Sequence, residues 1–222
     1  MTTQGTYARG GTYDGADAHL VRSDPVMAKM VWRLGPVAMP EVPTPADLFG
    51  ALIMAIVRQQ LAASAATAIY GRLIRYFGDR VPTPEAVLNA GPDLRTAVGL
   101  SHAKDRTLRG LAQRITDGAL DLDQLPSLPD DEVVRSLTSV TGIGEWTAGV
   151  FTMFRLGRPD VLLGGDLGIR KAAQLAYGLD ELPRPKVLDV IATPWRPYRT
   201  RGCLYLWSFL ASGAETAGQA VP

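Results

Sequence analysis

The sequence predicts an all-α protein, and three observations support that fold class. Apolar residues recur at helical spacing along most of the chain, for example over residues 48–77. No run alternates apolar and polar residues for long enough to form a useful strand. The 16 prolines and 23 glycines divide the periodic segments into short pieces. With 46% apolar residues, the 222-residue chain can also bury a core.

The first half of the chain carries clear helix boundaries. Asp24 followed by Pro25 is typical of a helix start. The periodic stretch 48–77 is long for one globular helix, so we expect a break near residues 58–63. The same signals predict a disordered tail over residues 1–17, a helix end at Gly35-Pro36 and a proline-rich loop over residues 36–45.

The second half adds several short helices. Thr83, Ser101 and Pro129 each stand where a helix is expected to begin, and three acids follow Pro129, where the helix dipole favours them. Four more helices are predicted over residues 144–154, 166–177, 184–191 and 197–210. The chain is thus expected to contain about ten helices.

Composition excludes several classes of protein. A single cysteine, Cys203, excludes an internal disulfide framework, a four-cysteine cluster and a cysteine-based zinc cage. Two histidines argue against a histidine-rich metal site. Residues 1–17 lack the apolar segment of a secretory signal, and the longest apolar run spans about ten residues where a membrane helix needs about 20. We therefore expect a cytoplasmic protein without a membrane partner.

The charge distribution is only weak evidence for a nucleic-acid partner. The net charge is +1, so no overall basic surface announces a nucleic acid. The 23 basic residues comprise 19 Arg and 4 Lys; this ratio suits bidentate phosphate contacts and equally a GC-rich genome. Five basic groups lie within residues 95–114 and five acids within residues 121–132, which indicates one basic and one acidic face.

The segment 137–148 contains a short G-x-G turn between two predicted helices. Gly142 and Gly144 permit a tight turn, and the helix that follows begins with unpaired amides. Such a turn can bind an anion, including a DNA phosphate. It can equally be an ordinary corner where glycine permits close helix packing.

Two further segments are open to both structural and functional interpretations. Asp166 follows two glycines and precedes an amphipathic helix, so it is either a helix cap or an ionised carboxylate approached by another molecule. The segment 193–207 mixes three arginines with four aromatic residues. That mixture suits base stacking and phosphate contact, and it also suits a partly buried terminal helix.

Together these segments resemble the helix-hairpin-helix (HhH-GPD) DNA glycosylase superfamily and, within it, the 3-methyladenine DNA glycosylase II branch, of AlkA type. The hairpin matches V-T-G-I-G-E-W-T-A at residues 140–148, and Asp166 follows Trp146 by twenty residues. The C-terminal pattern is matched at residues 195–207, and I-V-R-Q-Q-L at residues 56–61 resembles the first core helix. The resemblance covers residues 25–211.

The resemblance implies a set of site residues. Asp166 would be the catalytic aspartate, with Trp146, Trp207 and Val150 lining the base pocket, and Gln60 would match the wedge that fills the gap left by a flipped base. The positions implied to contact DNA are Gly142, Ile143, Gly144, Glu145, Thr147, Gln59, Gln60 and Arg170. No cofactor is implied to be required, but family members often hold a cation on hairpin carbonyls, here those of Thr138, Val140 and Ile143.

The chain departs from the family pattern in ways that affect activity and substrate preference. Bifunctional members carry a Schiff-base lysine where this chain has Trp146, which implies a monofunctional enzyme. Val150 replaces a pocket aromatic of the bacterial inducible enzyme, Gln60 replaces a leucine wedge, and too few residues precede Asp24 for the N-terminal sheet domain found in many members.

The resemblance thus implies hydrolytic release of alkylated bases from damaged double-stranded DNA in base excision repair, by a monomer at the nucleoid of a bacterial-type cell. The alternative is a non-catalytic helix-hairpin-helix DNA-binding module in which Asp166 only caps a helix. We expect two helical subdomains: residues 46–165, with the hairpin at about 131–154, and residues 18–45 joined to 166–222. The flipped base would lie in the cleft between them.

Overall fold

The computed structural model describes residues 14–39 and 47–213. Within these ranges the chain is all-α, as expected, with no strand. The described residues form twelve α-helices: α1 (Asp14–Ser23), α2 (Pro25–Leu34), α3 (Leu48–Arg58), α4 (Ala63–Tyr76), α5 (Pro84–Asn89), α6 (Leu94–Val98), α7 (His102–Thr116), α8 (Asp130–Thr138), α9 (Glu145–Phe154), α10 (Leu167–Tyr177), α11 (Pro185–Ile191) and α12 (Arg199–Ala211). Short 3-10 helices lie at Leu125–Ser127 and Thr193–Trp195.

The helices follow local sequence signals closely. The expected break in the stretch 48–77 falls between α3 and α4. Side chains at the predicted starts cap their helices: Thr83 accepts from the amide of Ala86, and Ser101 from that of Lys104. None of the described helices is long and apolar enough to cross a membrane.

The prediction of a disordered tail over residues 1–17 is wrong at its C-terminal end. Helix α1 begins at Asp14, inside the segment 1–17 expected to be a tail; residues 1–13 lie outside the described residues. Leu20 of α1 is fully buried, and Asp17 pairs with Arg201, 184 residues away. Because this partner is so distant in sequence, local patterns could not reveal what holds α1 in place.

The described residues divide into two compact units. Unit 2 comprises those within Val42–Leu156, and unit 1 those within Met1–Glu41 and Gly157–Pro222. The chain thus crosses between units at 41/42 and 156/157, where the sequence suggested 45/46 and 165/166.

Unit 2 is organised around α3. Every residue from Phe49 to Val57 is buried, so this helix is apolar on all sides and forms the centre of the core. It packs against α4, α7 and α9, which cover it with their own apolar faces. Helix α9 carries the second half of the hairpin, and the core of this unit therefore supports the hairpin.

Unit 1 is organised around α12, whose residues from Thr200 to Leu206 are buried. The buried cation Arg201 donates to both carboxylate oxygens of Asp17, to the carbonyl of Val37 and to the hydroxyl of Tyr205. Burial alone would lower the pKa of Arg201, but the bonds and charge of Asp17 outweigh it and raise the pKa. The paired charge fixes α12 against α1.

A second buried polar group, Asp24, joins three other parts of unit 1. Its Oδ1 accepts from the amides of Val26 and Met27 and so caps α2. Its Oδ2 accepts from the Tyr177 hydroxyl at the end of α10 and from the Trp195 indole at 2.9 Å. Asp24 is only 5% exposed, so its bonds form where water cannot replace them.

Replacing Asp24 should destabilise unit 1 far more than loss of a simple cap. Asp24→Ala leaves the buried hydroxyl and indole donors without their acceptor, and we expect it to lower the free energy of unfolding by about 4 kcal/mol. Asp47→Ala removes an aspartate cap that accepts from the amide of Gly50, and should lower it by about 1 kcal/mol. Urea denaturation of both variants measures the difference. Equal losses would contradict the role assigned to Asp24.

Candidate active site

One glycine shapes the turn that joins α8 to α9. Gly142 has a φ of +92°, in the left-handed region that glycine adopts without steric cost. A Cβ atom at this position would overlap the hydroxyl of Thr107 on α7. The backbone angle and the close contact therefore both require glycine, and the turn is packed firmly on α7.

Helix α9 begins without a side-chain cap. Its N-cap residue, Gly144, has φ −93°, and a Cβ atom there would meet nothing within 4 Å. The amides of a helix N-terminus lack partners within the helix and carry partial positive charge. This end of α9 can therefore accept an anion such as a phosphate. Glu145, an exposed acid, stands in the first turn.

Two predicted DNA-contacting residues face the interior of the hairpin. Ile143 and Thr147 are each 3% exposed. The Ile143 amide donates to the Val140 carbonyl at 3.0 Å, and the Thr147 hydroxyl accepts a side-chain bond. Both residues thus stabilise the turn from within.

The cation predicted at the hairpin stays a prediction. Among the three carbonyls named for it, that of Val140 already accepts the amide of Ile143, so one of its lone pairs is in use. The carbonyls of Thr138 and Ile143 lie at the end of α8 and in the turn, where backbone oxygens leave the helical pattern. No cluster of three or more His, Cys, Asp or Glu side chains suited to a metal occurs in the part of the chain that is described.

The two glutamines after α3 have different surroundings. Gln59 is half-buried, and its Nε2 donates to the Gly142 carbonyl at 2.9 Å and to the Thr147 hydroxyl at 3.0 Å. Gln60 is exposed and has a φ of +55°, which is uncommon for a residue with a Cβ. Only Gln60 therefore has the exposure that the predicted wedge needs.

Asp166 and Trp207 form a second cluster, at the start of α10. The Oδ1 atom of Asp166 accepts from the Ile169 amide at 2.8 Å and from the Trp207 indole Nε1 at 3.1 Å. The first bond is that of a helix cap, and the second comes from the side of α12. The carboxylate is half-buried and held in one orientation by two donors on one oxygen.

Gly168 keeps the space beside this carboxylate open, and the sequence analysis did not single it out. A Cβ atom on Gly168 would lie 3.2 Å from Asp166 Oδ1 and 3.6 Å from Trp207 Cδ1. A side chain there would crowd the carboxylate and touch the indole at an ordinary van der Waals distance. The only signal available from sequence was a glycine in the first turn of an amphipathic helix, where glycine weakens the helix.

Trp146 and Val150 lie one turn apart on α9, and both are half-buried. Val150 lines a shallow, open groove between α3 and α9, together with Met54, Phe154 and Arg58. The Nε atom of Arg58 is buried there and has no hydrogen-bond partner. Arg58 stands in the I-V-R-Q-Q-L segment directly before the two glutamines, but nothing in that pattern assigns it a role.

Arg170, expected to contact DNA, is tied to the loop that precedes α11. Its Nε donates to the Pro183 carbonyl at 2.7 Å, and the side chain is half-buried. This bond fixes the loop against α10 and takes up one of the five donors of the guanidinium.

The predicted site residues thus form two groups. Asp166, Trp207 and Arg170 belong to unit 1, and Asp166 is bonded to Trp207. The hairpin, the two glutamines, Trp146 and Val150 belong to unit 2, where Gln59 is bonded to the hairpin.

Comparison with known proteins identifies the family of this chain. Residues 53–197 match the family model described as HhH-GPD superfamily base excision DNA repair protein. The Bacillus subtilis protein YfjP is 30% identical over 168 residues, which cover 72% of this chain; the chain spans 58% of YfjP.

Two solved structures are similar over nearly the whole chain. The 3-methyladenine DNA glycosylase Mag1 of Schizosaccharomyces pombe, in complex with abasic DNA, has a TM-score of 0.79 at 26% identity and is matched over 93% of this chain and 99% of its own. A DNA-3-methyladenine glycosidase from Bacillus halodurans has a TM-score of 0.78 at 33% identity, over 91% of this chain and 92% of its own.

The two hairpin glycines should respond differently to alanine. Gly142→Ala forces a Cβ atom into Thr107 at a left-handed φ, so we expect it to lower the free energy of unfolding by about 3 kcal/mol. Gly144→Ala introduces neither clash nor strain, and because alanine is a poorer N-cap than glycine it should lower the free energy of unfolding by no more than about 1 kcal/mol. Its methyl group would instead occupy the space expected for a phosphate and weaken DNA binding. Thermal unfolding and DNA titration separate the two effects; a stable Gly142→Ala variant would contradict this account.

Proposed function

Since the chain belongs to the HhH-GPD superfamily of base excision DNA repair proteins, we propose that it is a monofunctional DNA glycosylase that releases alkylated bases, of 3-methyladenine type, from damaged duplex DNA. The observation that carries this proposal is the carboxylate of Asp166, held at the N-terminus of α10 by the Ile169 amide and the Trp207 indole. The relatives named above as 3-methyladenine glycosylases support the same activity.

Binding begins with the phosphate backbone in this proposal. The uncapped amide end of α9 binds one phosphate, without reading base sequence. A cation on the carbonyls of Thr138, Val140 and Ile143 would stabilise the turn and add positive charge near that phosphate. We expect one protein molecule to act on one duplex.

The damaged base must leave the stack before its glycosidic bond can be reached. Flipping a base requires a few kcal/mol, and least where damage has weakened its pairing. Gln60, exposed on the turn after α3, enters the gap and keeps the base from returning. The indole of Trp207, which donates to Asp166, offers an aromatic face on which the flipped base stacks.

Asp166 acts on the sugar. As the N-glycosidic bond breaks, both bonding electrons leave with the base, and positive charge develops at C1′ and the ring oxygen. The carboxylate stabilises this charge and orients a water molecule, whose oxygen bonds to C1′ and whose proton passes to the carboxylate. The products are a free base and an abasic site.

The aromatic residues account for selection of alkylated purines. An alkylated purine carries positive charge in DNA and leaves as a neutral base, so it needs little help from a general acid. A cationic ring also binds the electron-rich face of an indole more strongly than a neutral ring does. Val150 offers less bulk than an aromatic side chain, which favours a broad range of lesions.

A second candidate is a DNA-binding module without catalysis. The bond from the Ile169 amide to Asp166 is what this alternative requires, because Asp166 then serves only as a helix cap. The two functions differ in base release, since only the glycosylase liberates a free base.

Asp166→Asn should abolish base release while preserving the fold. Asparagine is also a good helix cap, so we expect the free energy of unfolding to change by less than about 1 kcal/mol. Loss of the negative charge should lower the single-turnover rate by about 100-fold or more. Free bases released from methylated duplex DNA are separated by chromatography for the wild type and the variant. An active variant would contradict the role of Asp166, and two inactive proteins that bind DNA tightly would support the binding module.

The monofunctional assignment makes its own prediction. With Trp146 at the position of the Schiff-base lysine, the chain should form no covalent imine with the abasic sugar. Borohydride added during the reaction should therefore trap no protein–DNA complex, whereas a bifunctional glycosylase assayed in parallel should be trapped. A trapped complex would show that another amine of the chain performs this chemistry.

A further inference from the structure

The turn that follows α3 is joined to the hairpin by one side chain. The Nε2 group of Gln59 uses both of its hydrogens across the gap between the two segments, one on the Gly142 carbonyl and one on the Thr147 hydroxyl. These acceptors lie on either side of Gly144, where α9 begins. A single amide group therefore links the end of α3 to both arms of the hairpin turn.

Helix α7 holds the same two segments from another side. Lys104 donates from Nζ to the Val57 carbonyl at 2.8 Å, near the last turn of α3. Partial burial lowers the pKa of Lys104, and its ammonium group donates to the Val57 carbonyl. One turn further along α7, Thr107 lies against Gly142. Three segments distant in sequence thus meet within unit 2.

The residue next to Gln59 is in an unfavourable conformation. Gln60 has a φ of +55°, and such angles persist in residues with a Cβ only where the surroundings impose them. Its side chain is exposed, and so is that of Leu61 at 39%. The Leu61 amide closes this turn by donating to the Arg58 carbonyl at 3.2 Å, and the side chain of Gln59 joins the turn to the hairpin.

We propose that Gln59 is a positioning residue that fixes the exposed Gln60-Leu61 turn relative to the phosphate-binding hairpin. The inference rests on the proposed function, because it assigns the turn to insertion into DNA and the hairpin to the phosphate. It differs from the expectation that Gln59 itself contacts DNA. When Gln59 is hydrogen-bonded to the hairpin, the phosphate contact of the hairpin and the insertion of the turn are held at one fixed spacing along the DNA.

The spacing matters because the two contacts reinforce each other only when they fit the same duplex. A hairpin bound to a phosphate holds the Gln60-Leu61 turn at a set distance from the base stack. The turn then enters the gap in the stack without first losing conformational freedom. Without the Gln59 amide, the turn samples other conformations, and part of the binding free energy goes into ordering it. Recognition of a gap in the stack should suffer more than binding to intact DNA.

The experiment measures the affinity of the full chain for two duplexes, one undamaged and one with a tetrahydrofuran abasic analogue. Gln59→Leu keeps the bulk of the side chain and removes both donors. We expect it to reduce the preference for the abasic duplex about tenfold, as loss of two hydrogen bonds implies. Gln113→Leu is the matched control, because the Gln113 amide bonds to Asp117 in its own helical turn. It should leave the preference unchanged.

A second variant tests the link from its other end. Thr147→Val preserves the shape of a buried side chain and removes the hydroxyl acceptor, so we expect about a threefold loss of preference. Because both variants break one link, Gln59→Leu combined with Thr147→Val should be no worse than Gln59→Leu alone. Thr147→Val also keeps the test decisive if Gln59→Leu fails to fold.

The outcomes distinguish the positioning role from the proposed function. An unchanged preference in both variants, or strictly additive losses, would overturn the role of Gln59 whether or not the wild type releases bases. Equal losses on the two duplexes would also overturn it, because they indicate general destabilisation. No base release by the wild type would overturn the proposed function, while the abasic duplex would still report on Gln59.

Discussion

The amides at the start of each α-helix have no partner within the helix, and the chain satisfies them differently at different helices. At α2 a buried aspartate, Asp24, accepts two of them and also binds two side chains, which makes that helix start a structural anchor. At α9 the cap residue is Gly144, and the amide end is left open. At α10 the cap is Asp166, a half-buried carboxylate that also accepts a hydrogen bond from the Trp207 indole. The candidate anion site and the candidate catalytic carboxylate thus follow from one backbone requirement.

Much of the helical structure could be predicted from local sequence. Caps such as Asp24 and Ser101 act over three or four residues, so their helices begin where the sequence indicates. Helix α6 was not predicted, because five residues are too few to show a helical period. Clustered charge did not by itself indicate a basic surface. Arg109 donates to the carbonyls of Val87, Ala90 and Gly91, and Lys104 donates to that of Val57. These two cations therefore hold segments of unit 2 together.

The candidate site was predictable where a motif fixes the residue type. Gly142, Gly144 and Asp166 stand in a spaced pattern; Gly142 has a positive φ, and Gly144 and Asp166 are the N-cap residues of α9 and α10. The partners of these residues could not be predicted, because they come from other helices. The indole of Trp207 reaches Asp166 across 41 residues, and Gln59 reaches Gly142 across 83. A pattern assigns residues to a site, but tertiary contacts decide which of them touch a ligand and which hold its neighbours.

The pairing of Arg201 with Asp17 has a consequence for the order in which the molecule is made. The two residues are in contact but come from the two sequence segments of unit 1, and all of unit 2 lies between those segments in the sequence. During synthesis, unit 2 is therefore complete while α1 and α2 still lack α12, against which both helices pack. The nascent first helices remain exposed to chaperones and proteases until α12 leaves the ribosome. Among the described helices, α12 is thus translated last and completes the unit that α1 begins.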